Sequence, residues 1–140
     1  MAGAKLVLLG VVLCSGCSRT EIQPTGSVTF NGAPLENGSI EFVPIDGTRG
    51  GSASTEITAG RYTCPQNSGL VEGGRYLVRI TAMKKTGKKA PSPMRDGPRM
   101  VDVMENFIPT IFNSDSTLTV VIATEQTNNT YDFPLEFQKK

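Results

Sequence analysis

In Ser27-Val28-Thr29-Phe30 every second residue is apolar, and the same alternation returns in Ser39-Ile40-Glu41-Phe42. Side chains on a strand point to opposite faces in turn, so each run reads as a strand with one face buried. Between them Asn31-Gly32 is a tight-turn signal. It lies in a polar, proline-containing segment, NGAPLENG, that predicts a longer connection than a minimal hairpin. The two strands are expected to pair or to lie near one another.

Further runs follow. Ser52 to Ile57 is a weaker strand, and the turn Ala59-Gly60 leads into Arg61-Tyr62-Thr63-Cys64, where Tyr62 and Cys64 share a face. The clearest strand has Tyr76, Val78 and Ile80 alternating with Leu77, Arg79 and Thr81, after the turn Gly73-Gly74. Near the C-terminus Leu118, Val120 and Ile122 form one face, and Tyr131, Phe133, Leu135 and Phe137 another. Pro134 has no N–H to donate, so the last strand is expected at a sheet edge or with its missing donor turned outward. No segment of residues 17–140 keeps helical spacing over a useful length. About seven short strands between Gly, Pro and Asn turns predict an all-β sandwich of immunoglobulin-like or transthyretin-like kind, spanning residues 26–138.

The pattern upstream is different. Met1 and Lys5 precede an apolar run from Leu6 to Leu13, then Ser15-Gly16 and Cys17. A positive start, an apolar stretch of about 7–15 residues and small residues at the cut make an export signal. A membrane-crossing helix needs about 20 apolar residues, more than this run has. Leu13-Cys14-Ser15-Gly16-Cys17 resembles a bacterial lipobox, with Cys14 where that motif usually has Leu. The resemblance implies a lipoprotein signal peptide at 1–16, a lipidated Cys17 as the mature N-terminus, and a tether at 17–25. A metal clip would want four ligands, and the chain has no histidine and only Cys64 to add to this pair. A redox pair would need its thiolate stabilised by nearby positive charge, which an apolar leader does not supply.

Cleavage before Cys17 removes Lys5 and leaves 13 basic side chains against 13 acidic ones. A neutral chain has no overall pull towards nucleic acid, and no nucleic-acid partner is expected. With Cys17 committed to lipid, Cys64 is left without a partner, so stability must come from an apolar core. Cys64 itself reads as a small buried hydrophobe.

The absence of histidine removes Ser-His-Asp and Cys-His catalysis and the commonest zinc ligand. There is no G-x-x-x-x-G-K-[ST] or G-x-G-x-x-G loop and no dense acidic cluster for calcium. The acids are scattered, and none stands out as half of a glycosidase pair. No cofactor, metal site or catalytic residue is expected. The Asn-x-Ser/Thr triplets at residues 37–39 and 128–130 read as turns.

The order GSVTFNGAPLENGSIEFVP, then Gly60-Arg61-Tyr62, then EGGRYLVRI, resembles the carboxypeptidase regulatory-like domain, a transthyretin-like β-sandwich. Ala59 stands where that family usually has Asp, and Gly74 where it often has Pro before the Gly. The segment Phe107-Ile108-Pro109-Thr110-Ile111-Phe112-Asn113, followed by Leu118-Thr119-Val120, is similar to one that follows this domain in small secreted lipoproteins of Planctomycetes. The resemblance implies a family and a fold and lends little activity. Transthyretin-like enzymes of purine breakdown rely on histidines that this chain lacks.

One segment is anomalous. Residues 84–106 read as a long loop carrying Lys84, Lys85, Lys88, Lys89, Arg95 and Arg99. Loops of this length in compact domains are functional or disordered. One reading is a basic finger that binds an anionic partner: a lipid headgroup, an acidic polysaccharide or an acidic protein. The simpler reading is a solvated, proline-rich excursion. No aromatic residue precedes Phe107 to stack nucleic-acid bases.

The functional expectation is a non-catalytic module with a structural or protein-interaction role in the cell envelope. It is anchored to a bacterial membrane through lipid on Cys17, and Ser18 fits release from the inner membrane. The alternatives are a module binding a glycan or other anionic envelope ligand through the basic segment, and an enzyme, for which no residue speaks.

Overall fold

The computed structural model describes residues 22–123 and 129–138. The expected signal peptide, Cys17 and the first part of the tether lie outside the described residues.

Ten strands follow one another: β1 (Thr25–Phe30), β2 (Ala33–Pro34), β3 (Asn37–Ile45), β4 (Ala53–Thr58), β5 (Arg61–Thr63), β6 (Arg75–Thr81), β7 (Met83–Pro91), β8 (Met100–Asn106), β9 (Thr119–Val121) and β10 (Phe133–Leu135). A single 3-10 turn at Thr110–Phe112 is the one helical element among the described residues. The protein is all-β. The main sheet runs β10-β1-β5-β4-β3-β6-β9, with β2 added to β1, while β7 and β8 form a separate two-stranded ribbon.

The sheet curls because β1 serves two sets of neighbours. Its first half, Thr25 to Ser27, pairs antiparallel with β5. Its second half, Val28 to Phe30, pairs parallel with β10, and Thr29 and Phe30 also meet β2. The small layer of β2, β10 and the second half of β1 thereby folds against the wide layer. Val28, Phe133 and Leu135 come from the one, Ile40, Phe42, Tyr62, Tyr76, Val78 and Ile80 from the other, and all are buried in a single core. The Tyr62 ring crosses between layers, with its centroid 6.0 Å from Phe42 and 6.3 Å from Phe133. The result is a β-sandwich in which the alternating residues face inward, as the period of two requires.

The turns follow from local chemistry. Asn31-Gly32 and Ala59-Gly60 each place two successive residues at positive φ, the geometry whose twist suits a two-residue hairpin. Ala59, at φ 49°, occupies a region costly for a residue with a Cβ. An Asp or Asn would tolerate it better.

One expectation holds only in its looser form and another is corrected. The strands at Val28 and Ile40, expected to pair or to lie near one another, share the core but do not pair: β1 lies beside β5, and β3 between β4 and β6. The Asn31-Gly32 turn instead folds Ala33-Pro34 back onto β1, and the chain then crosses to start β3. The segment 84–106 is not a long loop but two strands, Met83–Pro91 and Met100–Asn106. Its lysines sit on an exposed ribbon, where either face can be charged, so no burial alternation announced it. Pro134 does lie on an edge strand, exposed between buried Phe133 and Leu135.

Cys64 is fully buried, and its backbone N–H donates to the Pro24 carbonyl at 2.8 Å. Burial pushes its thiol up to about 11 from 9.0. The folded state thus keeps the proton at pH values where the unfolded chain has lost it. Stability from this group is fully present below pH 9.0 and lost as pH rises towards about 11. Urea unfolding across that window should show a decline that is shallower in Cys64→Ala. Parallel slopes in the two proteins would refute the assignment.

Candidate functional site: the basic ribbon

The ribbon continues directly from β6 through buried Ala82. Its base is fixed by one side chain: Asn106 Oδ1 accepts from the N–H of Ala82 and of Ile108, each at 3.1 Å. The Phe107 N–H donates to the Ala82 carbonyl at 3.1 Å. The Phe107 ring meets Phe30 edge-on at 6.0 Å, and the Lys84 ammonium lies 5.9 Å above it. Below, Asn113 is buried, and its Nδ2 donates to the carbonyls of Ile108 and Pro109 at 3.1 and 3.0 Å. The Ile-Pro-x-x-Phe-Asn segment is thus a bracket under the ribbon: Asn113 donates to the Ile108 carbonyl and adds a second donor to the Pro109 carbonyl, which also accepts the Phe112 N–H of the 3-10 turn at 3.0 Å.

Cross-strand register divides the ribbon into two faces. Met83 is opposite Asn106, Lys85 opposite Met104, Lys89 opposite Asp102 and Pro91 opposite Met100. Opposed residues share a face, and alternate residues along β8 return to it. Met83, Met100 and Met104 therefore lie together with Lys85, Lys89 and Asp102. The other face carries Lys84, Glu105, Val101 and Val103. The register shifts at a bulge between Lys85 and Lys89, and the pairs on either side of it keep the same face. There Gly87 has φ 80°, and Thr86 Oγ1 donates to the Val103 carbonyl at 2.9 Å.

The six expected cations divide into two groups. Near the base, Lys84 pairs with Glu105 at 3.4 Å and Lys85 with Asp102 at 2.7 Å. The hydrogen bond to Asp102, and then its charge, hold the Lys85 ammonium above the usual lysine value. Lys88, Lys89, Arg95 and Arg99, in the outer part, have no carboxylate within 4.0 Å among the described residues. The structure thus gathers all six on one arm and leaves four of them without an ion pair among the described residues.

Sequence reasoning missed the methionines. Every methionine after Met1 is on this arm, and Met83, Met94, Met100 and Met104 are all exposed, Met94 to 73%. Their clustering between residues 83 and 104 was a visible signal, masked by the lysines around them. Met83 and Met104 also line a shallow groove with Asn37, Ser39, Glu56 and Thr81 at the ribbon base.

A second hollow on the outer face of the main sheet is lined by Ser39, Glu41, Ser54, Arg79, Thr81 and Asn113. Within it Arg79 lies 3.8 Å from Glu41 and Ser39 Oγ 2.8 Å from Thr81 Oγ1, while Arg79 Nε is buried without a hydrogen-bond partner among the described residues. Among the described residues no three His, Cys, Asp or Glu side chains gather as a metal site would require. No described helix is long and apolar enough to cross a membrane.

No family model matches the chain, and no curated protein matches it. Among solved structures it is similar to a 9R-lipoxygenase from Cyanothece PCC8801, at 18% identity and a TM-score of 0.37. That likeness covers 83% of this chain but 16% of the lipoxygenase, and is too slight to carry a functional argument.

Proposed function

We propose that the protein is an exported lipoprotein whose β-sandwich is a non-catalytic interaction module, held at a bacterial membrane by lipid on Cys17. The observation that carries this reading is the sequence Leu13-Cys14-Ser15-Gly16-Cys17 behind an apolar run, followed within a few residues by a closed sandwich that begins at Thr25. A lipid anchor, a short tether and a folded domain are what such a protein needs. Two or more acyl chains give stable attachment, whereas one is marginal.

The proposed relation to carboxypeptidase regulatory-like domains draws support from the turns at 31–32 and 59–60 and from the long strand at 75–81. The non-catalytic reading draws support from the polar groups themselves. Cys64 is buried and holds its proton, and burial raises Tyr62 in the same direction, followed by the charges of Cys64, Asp132 and Tyr131. Asp46 and Glu41 are engaged with Arg75 and Arg79 on the open surface. The second reading, binding of an anionic envelope ligand, is favoured by the four free cations of the ribbon.

The test is intact mass and vesicle flotation of the expressed full chain beside Cys17→Ala. The expected product begins at Cys17, carries acyl chains and floats with neutral phosphatidylcholine vesicles. Cys17→Ala is uncleaved or unlipidated and loses the acylated, membrane-bound form. A wild-type product without acyl mass would overturn the proposal.

A further inference from the structure

The ribbon is unusual in what it leaves open. β7 and β8 pack substantially only against each other and reach the sandwich through their base. An isolated two-stranded hairpin is marginal in water, and each of its outer edges presents unpaired backbone groups to any strand that approaches. The two edges are not equivalent. β7 is bulged and lysine-rich, the usual guard against indiscriminate pairing. β8, MVDVMEN, is an unbroken alternating strand without a cation.

Charge is also separated along the molecule. The ribbon holds six cations against Asp96, Asp102 and Glu105, an excess of three positive charges, and the remainder of residues 17–140 holds an equal negative excess. The acids of the body are dispersed over several strands and turns, so a second copy offers no concentrated counter-surface. β1 and β6 run in the same sense, four antiparallel steps apart. The chain therefore enters β1 from the end of the sheet where β6 starts, and the ribbon leaves from the other end.

We propose that the methionine face of the ribbon docks an extended acidic segment of another envelope protein, added as a strand along β8. The inference rests on the lipoprotein reading for the partner's location and on the ribbon alone for its chemistry. Strand addition supplies main-chain hydrogen bonds, and side chains on alternate positions supply specificity. Met100 and Met104 give a polarizable surface that adapts to apolar positions of the incoming strand. Lys88, Lys89, Arg95 and Arg99 meet its carboxylates without first breaking an ion pair of their own. The chemistry points to polypeptide rather than to sugar or lipid. Between Met83 and Asn106 there is no Phe, Tyr or Trp to stack on a sugar ring or to sit at headgroup depth.

The experiment uses the full chain in detergent and, as probe, a short peptide of alternating glutamate and valine, titrated by calorimetry. Two variants accompany it: Met104→Glu, and the combined reversal of Lys88, Lys89, Arg95 and Arg99 to Glu, each checked for unchanged unfolding of the sandwich. Saturable binding is expected. It should weaken by at least about tenfold in the reversal, fall in Met104→Glu, and decline as salt screens the charges. A matching lysine–valine peptide is expected not to bind. The proposal is overturned by absent binding, by equal binding in the variants, or by equal binding of the lysine peptide. It is overturned equally if polygalacturonate or phosphatidylglycerol vesicles bind more tightly than the peptide, which would assign the arm to polysaccharide or lipid. Flotation on neutral vesicles reports the anchor separately, so a chain that fails to float yet binds the peptide loses the anchor and keeps the ribbon.

Discussion

Gly26→Ala should lower the stability of the domain by more than about 4 kcal/mol, a loss reserved for mutations with a specific structural cause. The cause is space, since Gly26 has an ordinary strand conformation. Here the returning segment around Tyr131 lies directly against β1: the Tyr131 N–H donates to the Thr25 carbonyl at 2.9 Å, and Thr25 N–H to Asn129 at the same distance. A Cβ on Gly26 would collide with the carbonyl oxygen of Tyr131 and come within 2.9 Å of the Tyr62 ring. Neither can retreat, because Tyr62 Oη donates to that same Tyr131 carbonyl at 2.7 Å and its ring sits between the two layers. Gly51→Ala is the matched control. A Cβ there meets nothing within 4 Å, and its stability should stay within about 0.5 kcal/mol of wild type. Urea unfolding of the two variants decides the matter; equal midpoints would mean that the crossing of residues 129–131 over β1 is not formed.

Phe42→Ala should cost about 3–5 kcal/mol through lost burial and the cavity left behind. Phe42 is fully buried at the middle of β3, opposite Ala53 on one side and Val78 on the other, and tilted against Tyr62. Ala53 is too small to fill the space, and Val78 is held by the ladder. Domains of this size have about 5–15 kcal/mol in total, so the loss is a large fraction. A fall in Tm of roughly 15–25 °C is expected by calorimetry. A fall of only a few degrees would show that the two layers can collapse together, and that the interlayer packing is looser than the distances imply.

The ribbon and the sandwich depend on different physics, and these two substitutions separate them. Both act on the core, tens of residues in sequence from the arm. The ribbon's tie to that core runs through Ala82, Asn106, Phe107 and the Phe30 ring. A variant that weakens the core should therefore leave the charges of the arm in place while loosening the base that aims it.

Much of the wide layer was legible in the chain. Ile40, Phe42, Tyr76, Val78 and Ile80 announce their strands and their inward face by alternation alone, because a strand with one face in a core must alternate. Asn31-Gly32 and Ala59-Gly60 announce their turns because few residues accept a left-handed backbone. Pro134 announces an edge because it has no N–H to give. The basic residues of the arm were likewise visible as a cluster.

What alternation cannot carry is the identity of a neighbour. A period of two says which face of β1 is buried, but nothing in it distinguishes β3 from β5 or from the parallel β10, and the choice falls to long-range packing around Tyr62 and Phe133. The ribbon failed to register for the complementary reason. With both faces in water, no burial selects one parity over the other, and lysine, methionine, proline and glycine read as a loop. Asn106 and Asn113 look like ordinary polar residues until the tertiary structure shows the carbonyls and N–H groups they satisfy. The sequence by itself determined the all-β class, the inward residues and the turn positions, because these follow from side-chain period and local backbone strain. The partners of β1, the existence of the ribbon and its methionine face were decided only by the tertiary structure, because they depend on which distant backbone groups and layers meet.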